Sequence, residues 1–255
     1  MITANFCSQC GQKKFKRIDK KYIWDELQYT ILHTNKGFLY SLKRLIKNPG
    51  KTARDFINGN RVNHYKPILL LFLLSGISAF LSYKVLNFNK VLGAYFAAQK
   101  MNTGFMNDFM SFISSYNALF MLLLVPLFAL TTKIAFRSWG HNYYEHLVMN
   151  TYILSFFTIL NVLLLYPVMF FYKHQPSTFF SLTQYIFIAV PFMLVLFFKT
   201  FYYEKPLKAV LVRVLGVLGL TVAGYMVFIM IAVVVGIVLA LTQGGPEALQ
   251  YFKQK

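Results

Sequence analysis

Long apolar runs separated by short polar stretches fill the chain after Tyr65, and polar residues dominate before it. Five runs reach the ~20 residues that a bilayer core requires. They cover about residues 67–85, 116–136, 147–171, 182–198 and 214–241, with Pro126 near the middle of the second. The last, at 28 residues, would be ~42 Å long as a helix, so it tilts or projects beyond the bilayer. The pattern predicts an all-α fold: a polytopic membrane protein with a five-helix transmembrane bundle.

Residues 18–66 read differently. Ile23, Leu27 and Ile31 recur every four residues with Trp24 beside them, Asp19 serves as N-cap, and Asn35-Lys36-Gly37 is the stop. Phe38, Leu42, Leu45 and Ile46 then form a stripe opposite Lys43, Arg44 and Lys47. A basic face behind an apolar face predicts amphipathic interfacial helices; a small soluble helical hairpin packed on itself is the alternative. Asn48-Pro49-Gly50 ends the second of these helices, and a short helix over 52–57 follows. The division is therefore 1–17, 18–66 and 67–255. The outer loop over 86–115, containing VLGAYFAAQ, is apolar enough for one more amphipathic helix.

Composition agrees with a membrane chain. Of 255 residues 57% are hydrophobic and 13% charged, against about 25% charged in soluble domains. A net charge of +18 would suggest nucleic acid in a soluble protein, but 14 of the 26 Lys and Arg residues precede Pro67, beside the first span. Such placement marks the cytoplasmic side and anionic headgroups instead. With the N-terminus inside, 20 Lys and Arg residues fall on the cytoplasmic side and six on the other, which puts the C-terminus outside. No signal peptide is visible, and the first span acts as the targeting signal.

Candidate chemistry is sparse. Cys7-x-x-Cys10 followed by Gly11 has the spacing of a zinc knuckle, but a structural zinc takes four ligands. A second chain, residues upstream or His33 would complete the site; otherwise it stands empty. Zinc at Cys7 and Cys10 is the one cofactor considered, and no cofactor is expected elsewhere. His141, Glu145 and His146 form the densest ionisable set near the bilayer, either as metal ligands, with His64 as an outlying fourth, or as an interfacial helix start. Asn117, Asn150, Asn161 and Gln184 are polar residues within the spans, and no Asp, Glu or Arg stands at mid-depth. That argues against ion-coupled transporters, which carry such relays. No nucleophile elbow, Walker loop or H-E-x-x-H motif is present. In the last span Ala232, Gly236 and Ala240, and Gly219 with Ala223, form small-x-x-x-small ladders suited to close helix contact, within the chain or with a second copy.

C-S-Q-C-G-Q (Cys7 to Gln12), N-P-G (Asn48 to Gly50), G-N-R-x-x-x-Y-x-P (Gly59 to Pro67) and Y-E-H-L-V (Tyr144 to Val148) carry a resemblance. The chain resembles an uncharacterised multi-pass membrane family of Bacteroidota, a domain-of-unknown-function group with an N-terminal zinc-ribbon-like segment. The resemblance is closest over residues 7–80 and 141–155. It implies a bacterial inner membrane and a second C-x-x-C upstream, which the six residues before Cys7 do not contain. The five-span architecture after a basic N-P-x stretch is also similar to Yip1-type membrane proteins, a likeness of architecture alone.

The leading expectation is a non-enzymatic membrane protein with a basic platform. Lys43, Arg44, Lys47, Arg54 and Arg61 would meet anionic lipid or a cytoplasmic protein, and Trp24 and Phe38 would insert. The other classes are a channel or pore-forming effector, for example in anti-phage defence, and a metal-dependent membrane enzyme.

Overall fold

A computed structural model describes residues 6, 19–21, 23, 38–99, 111–112 and 115–243. Every regular element among them is a helix, and five are long and apolar enough to cross a membrane: Pro67–Val85, Asn117–Ala135, Tyr143–Phe171, Pro176–Phe201 and Leu207–Ile231. The chain is a multi-pass membrane protein. Two helices described along their whole length precede the spans, α1 (Phe38–Lys47) and α2 (Pro49–Ile57). The first span is α3 (Pro67–Phe80) with a π-turn at Leu81–Val85, and α4 (Phe88–Ala98) lies in the loop after it. Next come α5 (Asn117–Ala135) and α6 (Tyr143–Leu160), which a π-turn at Asn161–Leu165 joins to α7 (Tyr166–Phe171) in one span. The last two are α8 (Pro176–Phe201) and α9 (Leu207–Gln243).

The first two spans begin within a residue of where hydropathy places them, and the last three begin four to seven residues earlier, because helix starts follow capping chemistry. Asn142 caps α6, and Pro67 and Pro176 open α3 and α8 where a missing N–H costs nothing. The π-turn in the third span precedes Pro167, which cannot donate to a carbonyl one turn back. It aims Tyr166 at α3, where its hydroxyl lies 2.8 Å from Ser78 Oγ.

The core is built around α6. Met149 and Tyr152 are fully buried, with Phe56, Leu70, Phe136, Phe197 and Phe198 in the same cluster. By contrast the described residues of α9 bury only Val210, Val214 and Val217, and Val222 to Val227 lie exposed. In a membrane chain such surface faces hydrocarbon rather than water. The predicted amphipathic helix of the outer loop is α4; its Tyr95 stacks on Phe180 of α8 with ring centroids 4.2 Å apart.

The helices before the spans use their apolar faces against the bundle. Leu45 of α1 is fully buried, and Phe38 and Leu42 are half-buried on the same side. In α2 Ala53 is fully buried and Phe56 meets Tyr152 edge to face at 6.0 Å. Asn48 caps α2, its Oδ1 accepting from Lys51 N at 3.0 Å, so Pro49 is the first residue of a helix rather than part of a break. Gly50 lies directly against the last turn of α8: a methyl group there would overlap the Phe197 carbonyl and the Thr200 hydroxyl. Only glycine permits that approach.

Candidate functional site

At one end of the bundle the start of α3, the end of α5, the start of α6, the end of α8 and the start of α9 come together under α1 and α2. Two polar arrangements are built there: a buried cluster between α5, α6 and α8, and the exposed stripe of α1.

The buried cluster begins with a capping box. Asn142 Oδ1 accepts from Glu145 N at 2.9 Å, and Glu145 Oε2 accepts from Asn142 N at 2.7 Å. Glu145 is 5% exposed, with its carboxylate at the positive end of α6. The preceding His141 carbonyl accepts from Lys133 Nζ at 2.6 Å, and His141 Nδ1 lies 3.1 Å from the Tyr202 hydroxyl. Burial, and then the Glu145 charge, push the Tyr202 phenol up from its usual range. It therefore stays protonated and can donate to His141.

His146 sits one turn into α6 and is fully buried. Its Nδ1 lies 3.1 Å from Thr132 Oγ1, which also receives Asn150 Nδ2 at 2.8 Å. The threonine spends its own proton on the Phe128 carbonyl at 2.9 Å. With that proton on the carbonyl, the two lone pairs of the hydroxyl accept from Asn150 and from a His146 protonated at Nδ1. Its Nε2 is then a buried lone pair with no partner among the described residues.

His141, Glu145 and His146 are neighbours without converging. The two imidazoles stand 6.4 Å apart at 84°, and the carboxylate is turned back to cap its own helix. Among the described residues no three His, Cys, Asp or Glu side chains are grouped as metal ligands. What the cluster does is tie α5, α6 and α8 together through Thr132, Asn150, His141 and Tyr202. Cys7, Cys10, Trp24, Leu27, Ile31 and His33 lie outside the described residues.

The platform residues divide into two groups. Lys43 and Lys47 are exposed. The arginines serve the fold: Arg44 pairs with Asp55 at 3.6 Å, Arg54 reaches the Phe201 carbonyl at 3.4 Å and lies over the Tyr203 ring at 4.1 Å, and Arg61 Nε donates to the Phe56 carbonyl at 3.3 Å. Phe38 turns inward, edge-on to Tyr65 at 5.6 Å. The outward apolar groups of α1 are Leu39, 74% exposed, and Ile46, 47% exposed.

Other cations close helix ends. Arg213 donates to the Ala135 carbonyl at 2.7 Å and to Ser138 Oγ at 2.9 Å, and Lys199 donates to the Tyr203 and Lys205 carbonyls at 2.9 and 2.7 Å. Carbonyls that end a helix carry partial negative charge and lack partners. The sequence signal was present, Lys199 being in the last turn of α8, but the partners of Arg54 and Arg213 are distant in the chain.

The polar span residues considered for a channel are dispersed. Asn150 and Asn161 bond back to the His146 and Phe157 carbonyls, and Gln184 is exposed. Gly219 has open space where its Cβ would stand and Ala223 is exposed, while the surroundings of Ala232, Gly236 and Ala240 lie outside the description.

A family model described as "Protein of unknown function (DUF3667)" matches residues 35–79. The match takes in α1, α2 and most of α3, and so joins the platform to the first span. No curated protein matches the chain, and no solved structure does.

Proposed function

We propose that the protein is a non-enzymatic inner-membrane platform whose α1 helix engages anionic headgroups, anchored by the five spans. One observation carries this reading. Leu39, Lys43, Ile46 and Lys47 recur at i, i+4, i+7 and i+8 and form the outward stripe of α1, the opposite side being spent on the bundle. Two apolar groups interleaved with two ammonium groups suit the boundary between acyl chains and phosphates. The 20-to-six division of Lys and Arg supports a cytoplasmic position for α1, with the N-terminus inside and the C-terminus in the periplasm. An acidic protein surface would use the same two lysines, and it is the competing occupant.

The test is retention of phosphatidylglycerol by the purified protein from nanodiscs that mix it with phosphatidylcholine, read by native mass spectrometry. Wild type should retain phosphatidylglycerol selectively, and Lys43→Glu/Lys47→Glu should lose the selectivity. Equal retention by both would overturn the reading.

A further inference from the structure

The loop joining α2 to α3 buries His64 to 1% exposure, and neither ring nitrogen has a hydrogen-bond partner among the described residues. The ring is held edge-on by Tyr40 of α1, with centroids 5.3 Å apart, and by Phe56 of α2 at 6.3 Å. The next residue, Tyr65, carries much of what holds α1 in place. Its backbone N–H donates to Ser41 Oγ at 2.6 Å, and its ring receives Phe38. The Arg44–Asp55 pair ties α1 to α2 beside the same pocket.

Among the described residues few groups face His64. From α1 come the Tyr40 hydroxyphenyl ring and the Arg44 guanidinium, and from α2 the Asp55 carboxylate. Arg61, on its own loop, lies over Phe56, and Tyr152 of α6 stands against that same ring. A neutral imidazole fits such an apolar slot. An imidazolium carries two N–H donors and a charge, and the one anion near it among the described residues, Asp55, already serves Arg44.

We propose that His64 is an acid-sensitive latch. Neutral, it holds α1 against the bundle; protonated, it releases α1 and bares Phe38, Leu42 and Leu45 to the headgroup region. The release stands on the packing around His64, and only its consequence for lipid rests on the function proposed above. Burial holds the imidazole below its ordinary value of 6.5; Asp55 opposes that shift and Arg44 adds to it. The released state thus binds the proton more readily than the docked one. Docking is complete above about pH 6.5 and weakens up to tenfold per pH unit below it, until the lowered docked-state value is reached.

The experiment is hydrogen exchange of α1 amides in the full chain, in phosphatidylcholine nanodiscs, between about pH 7.5 and about pH 5.5, corrected for intrinsic rates. Wild type should lose α1 protection at the acid end, by at most about tenfold over the one pH unit below 6.5, with α6 and α8 unchanged. His64→Phe, which keeps the slot filled without titrating, should show no loss. Unchanged protection in wild type, or an equal loss in His64→Phe, overturns the latch. If His64→Phe leaves α6 unprotected even at the higher pH, His64→Gln takes its place with the same two outcomes. Phosphatidylglycerol retention at the two pH values separates the claims: α1 release without added retention keeps the latch and sinks the lipid reading.

Discussion

Gly50 of α2 and Phe197 of α8 meet backbone to backbone, so that a methyl group on Gly50 would occupy the space of the Phe197 carbonyl oxygen. The obstacle is main chain within a helix, which cannot rotate aside. Gly50→Ala should therefore cost about 3 kcal/mol, although alanine is the better helix former. A drop of several degrees in the thermal midpoint in detergent checks this; an unchanged midpoint contradicts the contact.

Thr132 joins two buried donors. Thr132→Val keeps the volume but leaves His146 Nδ1 and Asn150 Nδ2 facing a methyl group. Each buried donor left unpaired costs about 1–3 kcal/mol. Thr132→Ser restores the hydroxyl and should recover most of the loss, with the thermal midpoint as readout.

At the start of α6 the Glu145 carboxylate caps its own helix. Asn142→Ala should cost about 1 kcal/mol. Glu145→Gln keeps an acceptor for the Asn142 N–H and should cost less, with metal content unchanged from wild type. Metal lost on Glu145→Gln, read by elemental analysis, would restore the ligand role.

The cations of the platform should separate by readout. Arg54→Gln removes the bond to the Phe201 carbonyl and the stacking on Tyr203, so it should lower thermal stability and leave phosphatidylglycerol retention intact. Lys43→Glu/Lys47→Glu should do the reverse. Loss of both properties in either variant would mean that anchoring and lipid contact are one function.

Orientation has its own check. In a chain with Cys7 and Cys10 changed to serine, His174→Cys should react with a membrane-impermeant maleimide in intact cells. Lys205→Cys, at the opposite end of the bundle, should react only after permeabilisation. Both residues are exposed, and the reverse pattern would invert the topology.

The spans and helix α4 were legible because hydropathy and period are local properties. So was the apolar stripe of α1, though not the surface it would meet. The chain of Phe38, Leu42 and Leu45 suits a membrane and a helix bundle equally well. The depth of α2 was not legible: PGKTARDFI reads as a break and a short helix over 52–57, and its burial depends on Gly50 meeting a helix nearly 150 residues away. The three arginines looked alike in sequence, and only tertiary placement distinguishes them from Lys43 and Lys47. His64 stands at one of the unspecified positions of the G-N-R-x-x-x-Y-x-P stretch, which has no hydrophobic period, so nothing local signalled its burial.

The bond from Arg54 to the Phe201 carbonyl spans 147 residues of chain. Synthesis at ~5–20 residues per second means that α2 leaves the ribosome roughly 7 to 30 s before its docking surface does. During that interval Ala53, Phe56 and Ile57 have no bundle to bury against. The first span must enter the membrane with its leading segment still undocked, and the platform assembles only after the fourth span has arrived. Truncated chains ending before α8 should thus insert without assembling the platform, which makes a seated α2 a molecular mark of completed biogenesis.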